Sequence, residues 1–120
     1  MSGNEPIRIL VVEDEPAIAA DLCFVVEEVG YEIGGTASSV DEALKLIEDE
    51  DIDGVILDAN LRGSSSASVA DALRARKLPF FVLSGYLQRQ LPEALCGAPF
   101  LAKPYDQDEL TSRILALARR

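Results

Sequence analysis

Gly54-Val55-Ile56-Leu57-Asp58-Ala59-Asn60-Leu61 decides how the rest of the chain is read. The apolar run after Gly54 reads as a short strand buried on both faces, the kind found in a parallel sheet covered by helices. A carboxylate follows at once. In an open α/β sheet the ligand crevice lies outside the carboxyl ends of the strands, which places Asp58 at its mouth. Taken alone, an aspartate after a strand is more often a turn former or a helix N-cap than a reactive group. The balance changes with what stands at the ends of three other apolar runs.

Upstream, Ile7-Arg8-Ile9-Leu10-Val11-Val12 is strand-like and ends in Glu13-Asp14-Glu15 before Pro16, a residue suited to the first turn of a helix. From there Ile18, Leu22, Val25, Val26 and Val29 recur on one helical face that ends at Gly30. Residues 31–37 form a second strand weakened by glycines, and Ser38 or Ser39 caps a second helix with Val40, Ala43, Leu44 and Ile47 inward. Glu48 to Asp51 is solvated surface before the strand that ends at Asp58. Residues 61–66 are polar, small and turn-like, and a helix over 67–77 turns Val69, Ala70 and Leu73 inward. Pro79 to Leu83 is a fourth strand ending at Ser84-Gly85-Tyr86. Residues 87–97 carry Pro92 and allow only a short, irregular helix. Ala98 to Ala102 is a fifth strand ending at Lys103-Pro104, and Asp106 caps a last helix with Leu110, Ile114 and Leu117 on one face. The fold class is therefore α/β, a (βα)5 doubly wound parallel sheet with right-handed crossovers and a short or irregular fourth helix.

The 120 residues are read as one domain, 1–120, with a flexible tail over 1–5, large enough to bury a core without disulfides or metal staples. No apolar run is long enough to span a bilayer, and the N-terminus lacks the features of a signal peptide, so a cytoplasmic location is expected. Cys23 and Cys96 have no metal-binding spacing and are read as reduced. A net charge of −10 argues against contact with nucleic acid or an anionic membrane. With no histidine in the chain, the commonest general base and soft-metal ligand are missing, and hard cations on carboxylates remain.

Because the strands are parallel, Glu13 and Asp14, then Asp58, Ser84 and Lys103 all arrive at one edge of the sheet. Two or three carboxylates close together repel one another, and a hard divalent cation relieves the repulsion. A hydroxyl and an ammonium at neighbouring strand ends can grip the oxygens of a phosphoryl group, and a carboxylate can accept that group as an acyl phosphate. Each residue has an ordinary reading as a helix-dipole partner, a turn or a solvated loop. Their joint occurrence at four strand ends is what argues for a site.

The motifs Val11-Val12-Glu13-Asp14-Glu15, Ile56-Leu57-Asp58-Ala59-Asn60, Leu83-Ser84-Gly85-Tyr86 and Ala102-Lys103-Pro104-Tyr105 resemble, over nearly the whole chain, the receiver domain of two-component response regulators. The resemblance implies a flavodoxin-like strand order of 2-1-3-4-5. It implies that Asp58 is the phosphoacceptor, supplied by a histidine kinase or a histidine phosphotransfer protein. Mg²⁺ (or Mn²⁺) is then held by Asp14, Asp58 and the main-chain carbonyl of Asn60, with Glu13 acting through water. Lys103, before a cis Lys103-Pro104 bond, pairs with the phosphoryl group. Ser84 and Phe100 occupy the switch positions, although Phe100 has no hydroxyl to hydrogen-bond and only packing remains to move it. Asn60 and Tyr86 tune hydrolysis of the acyl phosphate, so the chain is a phosphoacceptor capable of autodephosphorylation rather than an enzyme.

The stretch from Phe81 to Tyr86 is similar to the Phe-x-x-Thr-Gly-Tyr fourth strand of a stand-alone subgroup, with serine for threonine. A single-domain regulator, monomeric or a weak homodimer and signalling by protein contact, is the leading reading. Helix one, with Phe24 toward solvent, and the loop 103–105 are the docking face that the family implies. Because the chain stops soon after its last helix, no DNA-binding or enzymatic output domain is expected. One alternative is a receiver cut from a longer regulator. Another is an aspartate-nucleophile phosphatase, which usually carries a second carboxylate two residues on, where this chain has Asn60.

Overall fold

In a computed structural model, residues 6–85, 95 and 97–117 are described. The apolar runs become β1 (Arg8–Val12), β2 (Glu32–Ala37), β3 (Gly54–Asp58), β6 (Phe80–Ser84) and β7 (Phe100–Ala102). Between β3 and β6 lie two short strands, β4 (Asn60–Leu61) and β5 (Ser64–Ser65). The helices are α1 (Pro16–Glu28), α2 (Val40–Asp49), α3 (Ala67–Ala75) and α4 (Gln107–Leu117). The large sheet runs β2-β1-β3-β6-β7 and all of its pairs are parallel. With the small pair set aside, this is the expected order 2-1-3-4-5.

Alternation along the central strands sorts side chains to two cores. Leu10, Val12, Val55 and Leu57 pack with Ala43 and Ile47 of α2 and Val69, Ala70 and Leu73 of α3. Ile9, Val11 and Ile56 face the other way, against Leu22, Val25 and Val26 of α1 and Leu110, Ile114 and Leu117 of α4. Both faces of β3 are thus covered, which is why its apolar run is continuous rather than alternating. Gly34 in β2 makes room for the turn before β3, since a Cβ there would stand 2.7 Å from Ile52 Cδ1.

The helix ends follow local chemistry. Pro16 opens α1, and its exit is a Schellman turn: Gly30 at φ 93°, with Gly30 N–H donating to Glu27 O and Tyr31 N–H to Val26 O. Of the two serines, Ser39 is the N-cap of α2, its Oγ accepting from Glu42 N–H at 3.2 Å. Glu42 reaches back to Ser38 N–H and Oγ–H at 2.8 Å each, and these bonds hold its carboxyl below the usual range. α3 closes with the same turn as α1, but with Lys77 in the left-handed position at φ 59°. At the start of α4, Leu110 N–H donates to the Asp106 carbonyl at 3.0 Å.

The end of the sheet remote from Asp58 is fastened around Arg8. Its N–H donates to Asp53 Oδ2 at 2.8 Å, its Nε to the Asp51 carbonyl at 2.9 Å, and its guanidinium pairs with Glu32 and Glu50. The expectation of a short helix over 87–97 falls mainly on residues 86–94 and 96, which lie outside the described residues, as do the tail 1–5, Tyr86 and Cys96. Residues 61–66 are not a simple turn. β4 and β5 pair antiparallel about Arg62 and Gly63.

Candidate functional site

Each of the strands β1, β3, β6 and β7 hands the chain to the same rim at its carboxyl end. β1 leads into Glu13, which is 4% exposed, and β3 ends in Asp58, which is 5% exposed. β6 ends in Ser84, also buried, and Lys103 follows β7, where its N–H donates to the Ser84 carbonyl at 2.8 Å. One oxygen from each of Glu13, Asp14 and Asp58 lies within 4.8 Å of the others. Lys103 Nζ stands 3.3 Å from Glu13 Oε1 and 3.3 Å from Asp58 Oδ2. The Lys103-Pro104 bond is cis, as the resemblance implied.

Main-chain donors orient the remaining carboxylate oxygens. Glu15 N–H donates to Glu13 Oε2 at 3.2 Å, Asn60 N–H to Asp58 Oδ1 at 3.2 Å, and Arg62 N–H to Asp14 Oδ2 at 2.9 Å. Burial pushes the Glu13 carboxyl up to about 7, helped by its hydrogen bond with Asp58 and by that residue's charge, while Lys103 opposes the shift. On Lys103 burial is the largest influence and acts downward, yet the facing Asp58 and Glu13 outweigh it and the ammonium is raised. Lys103 therefore stays a cation against an excess of carboxylate at the rim.

This donor set fits a hard divalent cation. Mg²⁺ takes oxygens at about 2.1 Å, so opposite ligands stand about 4.2 Å apart. A span of up to 4.8 Å accommodates such an ion with a small closure or with one carboxylate acting through water. Beside it, a crevice of about 290 Å³ is lined by Glu13, Asp14, Thr36, Ser38, Glu42 and Arg62, among others. On the far side of Lys103, Tyr105 OH donates to Asp21 Oδ2 at 2.8 Å and ties the loop after β7 to α1; burial and Asp21 push the phenol up. Phe24 on α1 is 56% exposed. Phe100 is half-buried on β7 and packs against the core that contains Leu57 and Val82.

Buried carboxylates, a lysine and a serine gathered at the carboxyl edge of a flavodoxin-like sheet define a class of α/β domain with an acidic site at one rim. The response regulator receiver domain model matches residues 9–115, and the chain belongs to that family. Among curated relatives, the transcriptional regulatory protein PdtaR of Mycobacterium tuberculosis is 34% identical over 119 residues, 95% of this chain and 58% of PdtaR. The chain thus spans little more than half of that relative, and less than half of others such as TcrA. Among solved structures, SdrG from Sphingomonas melonis Fr1 superposes with a TM-score of 0.81 at 38% identity, over 95% of this chain and 98% of that one. TrrA from Thermotoga maritima, solved in complex with Mg²⁺ and BeF, has a TM-score of 0.81 at 35% identity, over 92% and 98%.

Glu13, Asp14, Asp58 and Lys103 are brought together, and Asn60 and Ser84 lie on the same rim; Tyr86 lies outside the described residues. What sequence reasoning missed is the part played by residues 60–66. Gly63 N–H donates to Asn60 Oδ1 at 2.8 Å, and the buried Ser66 donates through both N–H and Oγ to the Ala59 carbonyl at 3.1 Å.

Proposed function

We propose that the chain is a single-domain response regulator that accepts a phosphoryl group on Asp58 from a phosphohistidine of a histidine kinase or phosphotransfer protein, and signals by contacts that depend on that group. The observation that carries this reading is the oxygen cluster of Glu13, Asp14 and Asp58 within 4.8 Å, with Lys103 Nζ 3.3 Å from two of its members. An Asp58 carboxylate oxygen attacks phosphorus; the P–O bond forms as the P–N bond breaks, the electron pair stays on the departing nitrogen, and the imidazole, already protonated on its other ring nitrogen, leaves neutral. Lys103 exchanges its carboxylate contact for a phosphoryl oxygen, and the Ser84 hydroxyl approaches another. Asp14, Asp58 and the Asn60 carbonyl, with Glu13 through water, would hold Mg²⁺ (or Mn²⁺), which would supply positive charge against the phosphoryl oxygens. Phe100 follows Ser84 inward by packing, and Asn60 and Tyr86 set the rate at which water removes the group.

The donor docks on α1, around Phe24, and on the loop 103–105. A crevice lined by Ile18, Asp21, Lys103, Pro104 and Tyr105 supports that placement. A cytoplasmic setting, a monomer or weak homodimer, and residues 1–120 acting as one domain complete the reading. No helix among the described residues is long and apolar enough to cross a membrane. The stand-alone role is supported by SdrG and TrrA, each spanned over 98% of its solved chain. The span of only 58% of PdtaR favours a second reading, a receiver within a longer regulator.

Incubation with acetyl phosphate and Mg²⁺ followed by mass measurement is expected to show one phosphate adduct on the wild type and none on Asp58→Asn. An adduct that persists in the variant would overturn the assignment. A phosphorylated chain that captures the same proteins as Asp58→Asn would overturn signalling by contacts that depend on the phosphoryl group.

A further inference from the structure

β4 and β5 are two residues each, and an isolated two-stranded hairpin is marginal in water even at greater length. This hairpin is held by attachments around it instead. Leu61 is buried in the core that also takes Val69, and Ser66 grips the Ala59 carbonyl at the base. At the tip, Arg62 and Gly63 have φ of 52° and 82°, the left-handed pair that a type I′ turn needs. The two consecutive N–H groups of that turn are the donors to Asp14 Oδ2, 48 positions away in sequence, and to Asn60 Oδ1.

We propose that the β4–β5 hairpin is a positioning element for the cation site, its Arg62–Gly63 turn holding the Asp14 carboxylate through a main-chain donor and Asn60 through its side-chain amide. The inference rests on the metal reading above and deepens it. A carboxylate already fixed by an N–H loses less freedom when it takes up an ion, and outer partners of this kind commonly change metal affinity by about 10- to 100-fold. Asn60 is held at both ends, its N–H on Asp58 Oδ1 and its Oδ1 on Gly63 N–H, so the carbonyl between them is presented in one orientation. The Asn60 side chain therefore acts through the turn.

Gly63 offers a clean handle, because a Cβ built there meets nothing within 4 Å and a substitution changes only the backbone preference. Asparagine tolerates the left-handed region, whereas a β-branched residue does not. Mg²⁺ alone is titrated calorimetrically into the full chain as wild type, Gly63→Asn, Gly63→Val and Asp14→Asn, and each melting temperature is taken in EDTA. Gly63→Val is expected to bind about tenfold more weakly and Gly63→Asn close to wild type. A turn of purely structural importance would lower the melting temperature and leave Mg²⁺ affinity alone, and that result overturns the proposal. Should Gly63→Val fail to fold, amide exchange in the wild type decides, because coupling is reciprocal. Slower exchange at Arg62 and Gly63 with saturating Mg²⁺ supports the proposal, and unchanged exchange overturns it. A wild type that takes up no Mg²⁺ removes the metal reading itself, and this inference with it.

Discussion

Glu13 carries the main electrostatic penalty of the site. Burial beside Asp58 raises its carboxyl from the ordinary 4.5 to about 7, so the folded chain favours the neutral form more than the unfolded chain does. The penalty is absent below about pH 4.5, grows as the pH rises, and is complete above about pH 7. In EDTA the melting temperature is expected to fall across that window, and Glu13→Gln to flatten the fall. Saturating Mg²⁺ is expected to recover the loss. An equal slope in Glu13→Gln, measured by scanning calorimetry, would show that the general repulsion of a chain carrying −10 is responsible instead. At this scale most of the site is legible in the sequence, because a polar residue at the carboxyl end of a parallel strand can reach only one rim. Asp14 is legible as an acid but not as a held one. Its donor is a main-chain N–H, which no side-chain pattern records.

Periodicity places the elements, and the differences arise where a turn conformation decides. The hairpin at 60–65 escapes notice because Arg62 stands where asparagine or aspartate usually announces a left-handed turn before glycine. Its serines read equally well as a loop. The same difficulty recurs at the end of α3, which the sequence pattern carries to Lys77. The helix stops at Ala75, and Lys77 adopts φ 59° to let Leu78 N–H reach the Leu73 carbonyl at 2.9 Å. A lysine in that region costs roughly 1–2 kcal/mol that glycine avoids. Lys77→Gly is therefore expected to raise stability by about 0.5–1 kcal/mol, the greater freedom of the unfolded glycine offsetting part of the gain. A urea titration in which the midpoint falls would contradict this account of the helix end.

For the whole molecule, the two-sided core follows from a single property, the continuous apolar run of β3, whereas the order of the strands is implied only by the family resemblance. Leu57 is fully buried on one face and Ile56 on the other. Leu57→Ala leaves a void that close-packed neighbours fill only partly, and is expected to lower stability by about 3 kcal/mol with the urea slope unchanged. A loss under 1 kcal/mol would mean that the α2–α3 side repacks freely. The Arg8 clasp at the remote end has a consequence for motion. Its charged pairs are half-exposed and individually weak, but it also ties the starts of β1 and β2 and the turn before β3 through main-chain bonds. A fan pinned at its handle spreads only along its outer edge. Main-chain amides at Glu32 and Asp53 are therefore expected to exchange with solvent more slowly than those at the rim where Asp58 and Lys103 stand.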